Sequence, residues 1–231
     1  MEGTQLLEQG APSAAEIPAP ERDGRRARGD KTRHAILARA MQIASIEGLE
    51  GLSLGRLAAD LGISKSGLFA HFGSKEELQL KTLRAARRIF YEGAVRPALD
   101  VPEGIERLAA LVEADIDYLS GDAFDGGCLF ISSAAEYDSR PGPIRDLVQE
   151  TMASWLDLLA EQAQIARDND DLEAGTDPRG LVWELHAFGL ALNWDRQLNR
   201  AEDARERAQS ASRARLHSAA TAKGRRKLAR A

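Results

Sequence analysis

The chain reads LSLGRLAADLGI from residue 52 to residue 63 and SKSGLFAHFGSKEEL from residue 64 to residue 78. In the first stretch, leucine or alanine recurs at positions 54, 57, 58 and 61, which is the spacing of one buried helical face. Only Gly62 and Ile63 separate that helix from a second one, which Ser64 can cap and which turns Leu68 and Phe72 inward. A link this short forces two helices to cross steeply, as in a helix-turn-helix.

Helical periodicity continues on both sides of this pair. Upstream, apolar residues from Ile36 to Ala44 predict a helix that ends at Gly48, and downstream a capping box that starts at Ser74 opens a helix that stops at Pro97. Beyond that proline, glycine and proline separate further amphipathic stretches, and no strand pattern occurs. We therefore predict an all-α fold of about nine helices, with an N-terminal three-helix domain and a C-terminal helical domain.

The predicted domain boundaries follow changes in composition. Residues 1–29 lack an apolar period and are expected to form a disordered arm. Residues 30–76 hold the helix-turn-helix domain, and residues 77–220 the C-terminal domain, to which we assign ligand binding and dimerisation. Residues 221–231 are expected to form a basic disordered tail. The basic residues of the arm and of the tail are compatible either with contact to DNA or with a solvated segment.

Charge is distributed unevenly along the 231 residues, although the net charge is only −5. Residues 21–75 hold 10 Arg and Lys against 6 Asp and Glu, whereas residues 100–200 hold 7 against 21. The first segment is therefore suited to approach phosphate, and the second would be repelled by it.

Several classes of protein are disfavoured by the same composition. The single cysteine, Cys128, excludes an internal disulfide framework and a multi-cysteine metal site. No apolar run reaches the roughly 18 residues of a membrane span, and the start lacks a signal-peptide pattern, so we expect a cytoplasmic protein without membrane contact. No phosphate loop, nucleophile–base pair or metal-ligand cluster is visible, so we expect neither catalysis nor a cofactor or metal.

Residues 64–78, with residues 52–63 before them, closely resemble the DNA-binding signature of the TetR/AcrR family of transcriptional regulators. The resemblance covers about residues 31–80 and implies a homodimer that binds double-stranded operator DNA, often a repressor that a small-molecule effector releases. The second helix of such a motif lies in the major groove. This chain departs from the family at Phe69, where a tyrosine usually supplies a hydroxyl that grips phosphate.

The candidate DNA contacts gather at the start of the predicted reading helix. Lys65 and Ser66 can donate hydrogen bonds to guanine O6 and N7, and Gly67 lets backbone approach DNA closely. The resemblance places His71 and Lys75 against the DNA backbone. For the two helix-start serines, capping alone is an equally good interpretation. The predicted DNA-binding residues are Ser53, Ser64, Lys65, Ser66, Gly67, Phe69, His71 and Lys75.

Most aromatic and soft side chains fall in the C-terminal two thirds, where they predict either the walls of an effector pocket or ordinary core. His186 is the candidate polar contact, although a lone histidine on an apolar helix is more often a hydrogen-bonded core residue. The predicted ligand-binding residues are Phe90, Tyr118, Cys128, Trp155, Trp183 and His186. The last two long helices are the candidate dimer interface, since residues 181–193 are apolar over a wide arc.

Two alternatives stand beside this interpretation. In one, the DNA-binding domain is kept and the remainder acts through a protein partner without a small-molecule ligand. In the other, Glu113, Asp117 and Glu136 meet in the cavity of a helical enzyme, although carboxylates at these spacings usually form a solvated face.

Overall fold

The computed structural model describes residues 24–230, and it describes side chains from residue 32 onward. Within this range the chain forms ten α-helices of seven or more residues and no β-strand, which confirms the predicted all-α fold. The helices are α1 (Gly24–Gly51), α2 (Leu54–Leu61), α3 (Lys65–Phe72), α4 (Lys75–Phe90), α5 (Ile105–Ser120), α6 (Leu129–Tyr137), α7 (Pro143–Asp168), α8 (Pro178–Trp194), α9 (Ala204–Ala219) and α10 (Ala222–Leu228). Short π-helical turns follow α4 at Tyr91–Val95 and α8 at Asp195–Asn199.

The described chain divides into two compact units. We call residues 24–88 and 124–150 the head, and residues 89–123 and 151–230 the body. This division differs from the predicted boundary at residue 76, because α6 and the first turns of α7 belong with the N-terminal helices. None of the helices in the described range combines the length and apolarity needed to cross a bilayer.

Helix α1 begins before the predicted end of the disordered arm. Residues 24–29 are helical, so the expectation of disorder is wrong for them, and residues 1–23 of the expected arm lie outside the described residues. The predicted stop at Gly48 is confirmed: its φ of 79° and ψ of 162° break the helical geometry. A glycine adopts a positive φ without the steric cost that a Cβ would add.

The head contains the helix-turn-helix that the sequence predicts. Helix α2 buries Leu54 and Leu57 and ends at Gly62, whose φ of 64° gives a left-handed C-cap. Helix α3 starts at Lys65, three residues after Gly62, and buries Leu68 and Phe72. The short glycine-containing link therefore connects two helices that share one core.

The segment that precedes α6 docks onto α1 through backbone donors. The N–H of Asp125 donates to Gln42 Oε1 at 3.0 Å, and the N–H of Gly126 donates to Ser45 Oγ at 3.1 Å. A Cβ at position 126 would lie 1.9 Å from the carbonyl oxygen of Ser45, so only glycine permits this approach. These contacts make the α6 segment part of the head.

In the body, α5 packs against α8 and α9, and α8 packs against α9. Helix α8 opens as the sequence predicts, because Asp177 accepts from the N–H groups of Arg179 and Gly180 and Pro178 occupies the first helical position. Side chains on the inner faces of these helices are fully buried, including Leu108 on α5.

The expectation that residues 221–231 form a disordered tail is wrong for the part the structure describes. Residues 222–228 form α10, which Thr221 caps by accepting the N–H of Gly224 at 3.1 Å. The fully buried carboxylate of Asp171 accepts from Lys227 Nζ at 2.5 Å. A basic segment becomes ordered here because a buried acid is available to pair with it, and a contact across 56 residues leaves no local sequence signal.

Candidate nucleic-acid interface

Two buried side chains fix α3 in the head and leave its outer face to solvent. Leu68 and Phe72 are 0% and 2% exposed. Lys65 and Ser66 at the N-terminal end are exposed, and Phe69 keeps 55% of its surface accessible. A phenylalanine exposed to this degree on a rigid helix is available for contact with another molecule.

The start of α3 is organised by its own cap. Ser64 Oγ accepts the N–H of Gly67 at 3.1 Å and lies 3.4 Å from Ser66 Oγ. A Cβ at position 67 would lie 3.0 Å from Ser64 Oγ, so the glycine also accommodates the cap. Ser53 acts in the same way at α2, where its hydroxyl accepts the N–H of Arg56 at 3.2 Å. Both serines therefore act as caps, and Ser64 also stands exposed.

The two predicted backbone contacts beyond α3 lie in different surroundings. His71 is half-buried in the last turn of α3. Lys75 Nζ donates to the carbonyl oxygen of Glu50 at 2.8 Å and to its Oε2 at 2.7 Å. Tyr137 also donates to that carboxylate, at 2.9 Å. The hydrogen bonds from Lys75 and Tyr137 hold the pKa of Glu50 below its ordinary value. Contact of Lys75 with phosphate would therefore replace an existing ion pair.

A second carboxylate from α6 holds the end of α1. Glu136 accepts the backbone N–H groups of Leu49 and Glu50, each at 2.8 Å, directly after the break at Gly48. Gln79 on α4 donates to the carbonyl oxygen of Leu49 at 2.6 Å. We call Glu50, Glu136 and Tyr137 the α6 clamp. Sequence reasoning missed it because its partners lie more than 80 residues apart.

The arginines nearest α2 are neutralised within the head. Arg39 and Arg56 both pair with Asp60, and Arg56 also donates to Glu47 at 3.0 Å. Their hydrogen bonds, that from Arg39 above all, lower the pKa of Asp60 to about 2. Lys65 forms no ion pair with any residue that the structure describes. The available positive charge on α3 is thus concentrated at Lys65 and at the N-terminal end of the helix dipole.

Two family models match the chain, and together they cover more than half of it. The model described as bacterial regulatory proteins, tetR family, matches residues 36–81, and the one described as tetracyclin repressor-like, C-terminal domain, matches residues 104–212. The chain belongs to the TetR family. It is therefore a DNA-binding transcriptional regulator, and both the fold and the family are those of a regulator rather than an enzyme.

Individual TetR-family relatives agree with this assignment. The activator FasR of Mycolicibacterium smegmatis is 29% identical over 102 residues, which span 44% of this chain and about half, 47%, of that relative. A TetR regulator from Chloroflexus aurantiacus has the same fold at 20% identity, with a TM-score of 0.73 over 84% of this chain and 98% of that one. The regulator CifR, solved with 26-bp operator DNA, is 27% identical, with a TM-score of 0.63 over 80% of this chain and 96% of that one.

In this TetR-family chain, three of the predicted ligand-binding residues meet in the body. The ring of Phe90 lies edge-to-face against Tyr118, with centroids 5.0 Å apart, and against Trp155, with centroids 5.1 Å apart. His186 on α8 is half-buried, and burial lowers its pKa below the ordinary value. Its Nδ1 atom is buried without a hydrogen-bond partner among the described residues.

The other two predicted ligand-binding residues lie elsewhere. Trp183 is 72% exposed on the outer face of α8, where Trp194 is 63% exposed. Cys128 stands at the start of α6 in the head. The assignment of all six residues to an effector site stays a prediction; the structure brings Tyr118 and Trp155 each against the ring of Phe90.

Two features of the body were not anticipated from the sequence. A cavity of about 770 Å³ opens between α5, α9 and the end of α10. Because sequence reasoning predicts disorder for the residues of α10, it does not predict this cavity. The second is Asp115 on α5, which is half-buried and whose Oδ2 lies 3.0 Å from the position that a Cβ on Gly189 of α8 would occupy. Its spacing of four residues from the buried Leu111 and Leu119 could have indicated that it lies close to the face of α5 that packs in the body.

The acids of the alternative enzyme hypothesis serve structural roles in the described residues. Glu113 pairs with Arg213 at 3.2 Å, and Asp117 pairs with Arg205 at 2.5 Å. Glu136 belongs to the α6 clamp in the other unit. The described residues also contain no group of three or more His, Cys, Asp and Glu side chains placed to hold a metal ion.

Proposed function

We propose that this TetR-family protein is a homodimeric repressor that reads an operator half-site with α3 and is released by a small-molecule effector bound in the body. The observation that carries the proposal is that α3 is anchored by one buried face and exposes the other to solvent. Leu68 and Phe72 anchor the helix, while Lys65, Ser66 and Phe69 face solvent at and near its N-terminal end.

The chemistry of that end suits the major groove. The Lys65 ammonium and the Ser66 hydroxyl can donate to acceptors on guanine, and the helix N-terminus favours a nearby phosphate. The solved complex of CifR with operator DNA supports the same use of the fold in this chain. His71 and Lys75 follow as backbone contacts, with Lys75 exchanging Glu50 for a phosphate oxygen.

An exposed apolar face on α8 supports dimerisation. Trp183, Leu190 and Trp194 on α8, with Leu198 in the π-helical turn after it, lie at helical spacing and are between 40% and 72% exposed. Two tryptophans on one exposed face are costly in a monomer, because a large apolar patch remains in contact with water. We infer that a second copy of the chain covers this face, which would place two α3 helices on a two-fold-symmetric operator.

Release of the protein from its operator follows from thermodynamic linkage between effector binding and operator binding. A ligand that binds more tightly to the conformation with misplaced reading helices lowers operator affinity by its coupling free energy. The relative FasR is named an activator, so the direction of control needs its own measurement. We propose repression, with the aromatic cluster of Phe90, Tyr118 and Trp155 as part of the effector site.

The test selects DNA from a random pool with the purified protein and measures affinity for the selected site by fluorescence anisotropy. Lys65→Ala should weaken binding by at least tenfold, as expected when a base contact worth about 1–3 kcal/mol is removed from each of the two half-sites. Arg179→Ala removes the same charge from the exposed start of α8 and should leave affinity unchanged. Equal affinities of the two variants would contradict the role of α3.

A second experiment tests the direction of control. In vitro transcription from a promoter carrying the site should fall when protein is added, and a rise would overturn repression.

A further inference from the structure

The cavity between α5, α9 and the end of α10 lies entirely within the body. Its volume of about 770 Å³ falls within the range of pockets that hold small organic ligands, which is about 300–1,000 Å³. Three small side chains of α5, Ala109, Ala110 and Ala114, line it and leave the space open. Pro97 and Pro102, in the segment before α5, form a further wall. The space is therefore large enough for a ligand and is enclosed by several elements of one unit.

One polar side chain of the cavity wall lacks a hydrogen-bond partner. Ser212 on α9 lines the cavity and is 2% exposed, and its buried Oγ makes no hydrogen bond with any residue that the structure describes. Ser218 on the same helix satisfies its hydroxyl by donating to the carbonyl oxygen of Arg215 at 2.8 Å. Buried hydroxyl groups without a partner are rare in native proteins. A rotation about the Cα–Cβ bond of Ser212 would turn this donor toward a ligand in the cavity.

The acids that line the cavity are each close to a cation. The three pairs, with nitrogen–oxygen distances of 4.0, 3.2 and 2.5 Å, are Glu106 with Lys227, Glu113 with Arg213 and Asp117 with Arg205. Lys227 also pairs with the buried Asp171, which has a second cation in Lys223 at 3.6 Å. The carboxylates therefore leave little uncompensated negative charge in the cavity.

The exposed rim of the cavity carries arginines that have no carboxylate partner. Arg230 lines the cavity, and Arg225 lies in a shallow depression that shares Arg213 and His217 with it. Arg225 and Arg230 are exposed, and neither forms an ion pair with another residue of the described chain. Because the acids beside them are already compensated, the charge available to a ligand at this rim is positive.

We propose that this cavity binds an amphipathic organic anion. The apolar part of the ligand fills the space beside the alanines of α5, and its anionic group meets the guanidinium groups of Arg225 and Arg230. A guanidinium presents paired N–H donors that match the oxygens of carboxylates and phosphates. The Ser212 hydroxyl donates to a polar atom nearer the apolar part of the ligand.

This site is separate from the proposed effector site. None of the rings of Phe90, Tyr118 and Trp155 lines the cavity. The wall residues from Arg213 to Arg230 also lie beyond residues 104–212, which the C-terminal family model matches. Membership of the TetR family therefore does not account for this cavity.

A second copy of the chain explains the cavity less well than a small ligand does. Its apolar wall is recessed, because Val112 and Leu216 are 6% and 3% exposed. A protein face laid over the rim would leave this space unfilled. The exposed tryptophans that favour contact with another chain, Trp183 and Trp194, lie on α8 and do not line the cavity.

The experiment uses the full chain and three probes that share one alkyl chain: octanoate, octan-1-ol and octyltrimethylammonium. Isothermal titration calorimetry measures the binding of each probe. The wild type should bind octanoate at least threefold more tightly than octan-1-ol, because the rim arginines attract the carboxylate. Octyltrimethylammonium should bind more weakly than either, because the same arginines repel it.

A cavity-filling variant tests the location of the site. Ala110→Trp should weaken octanoate binding by at least tenfold, because the indole ring occupies the space beside α5. Ala153→Trp is the matched control, since it adds the same side chain at an exposed position of α7 outside the cavity, and it should leave binding unchanged.

A second pair of variants tests the charge and changes only exposed side chains, so it decides the question even if Ala110→Trp fails to fold. Arg230→Gln should weaken octanoate binding about three- to tenfold and leave octan-1-ol binding unchanged. Arg226→Gln is the control, because Arg226 is an exposed arginine of α10 that lines neither the cavity nor the depression. It should bind octanoate as the wild type does.

Three results would overturn the inference: equal affinity for the three probes, equal octanoate affinity in the two tryptophan variants, or equal octanoate affinity in the two glutamine variants. A second copy over the cavity would appear as a protein that binds no octanoate and whose Ala110→Trp variant sediments as a smaller species, and this outcome also overturns the inference. Operator binding measured without probe reports on the proposed function independently of all these results.

Discussion

Phe69 is the residue at which the reading helix departs from the TetR pattern, and its exposure makes the departure testable. The side chain keeps 55% of its surface, so an added para hydroxyl would meet solvent or DNA and no core atom. Phe69→Tyr should tighten operator binding by about two- to tenfold for each half-site, the equivalent of one hydrogen bond of about 0.5–1.5 kcal/mol per chain. Fluorescence anisotropy on the selected site measures the change. Unchanged or weaker binding would show that no phosphate lies within reach of position 69.

Residue roles that depend on local sequence could be predicted, and those that depend on distant partners could not. Ser53 and Ser64 cap their helices because the acceptor and the donor lie three residues apart. Lys75 carries the expected charge, yet its contact with Glu50 joins positions 25 residues apart. Charge alone could not show that this ammonium is already engaged.

At the scale of elements, apolar periodicity and the residues that start and stop helices predict where helices form. They do not predict which of the two units a helix joins. The proline in the first position of α8 marks the start of that helix, and the glycine after α2 marks its end, because each acts through its own backbone geometry. The membership of α6 in the head depends on Gly126 and Glu136, whose contacts with α1 span more than 80 residues. Helix α10 was missed for the same reason, because its partner Asp171 is remote in sequence.

Weakening the α6 clamp should locally reduce the protection of backbone amides in the head against hydrogen exchange. Glu136→Gln leaves one oxygen for two backbone donors and turns an amide N–H toward the other, which costs about 1–3 kcal/mol for the unsatisfied group. Hydrogen–deuterium exchange should accelerate at the amides of Leu49 and Glu50, and the midpoint of thermal unfolding should fall by a few degrees.

Glu92→Gln is the control for this change. Its pair with Arg96 is exposed and spans one helical turn, so its loss should cost no more than about 0.5 kcal/mol. If Glu136→Gln unfolds at the same temperature as Glu92→Gln and exchanges at the wild-type rate, the two hydrogen bonds do not hold the end of α1. Slower exchange in the variant would contradict the clamp in the same way.

At the scale of the whole molecule, dimerisation and DNA binding should be lost together. Trp194 is 63% exposed on α8, and Trp194→Glu would place a charge on the face proposed to meet a second copy. The variant should sediment as a monomer, because burial of an unpaired carboxylate opposes association. A monomer contacts a single half-site, so operator affinity should fall by well over a hundredfold although α3 is unaltered.

Ile46→Glu separates this effect from a general loss of surface apolarity. Ile46 is 61% exposed on α1 in the head, outside the α8 face, so its variant should remain a dimer with wild-type sedimentation.

The salt dependence of DNA binding adds a further distinction. The logarithm of the binding constant falls by about 0.9 per neutralised phosphate for each decade of salt concentration. The wild-type dimer should show about twice the slope of the Trp194→Glu monomer, because two heads contact DNA in place of one. A Trp194→Glu variant that remains dimeric, or a monomer that keeps the full slope and affinity, would contradict operator reading by a symmetric pair.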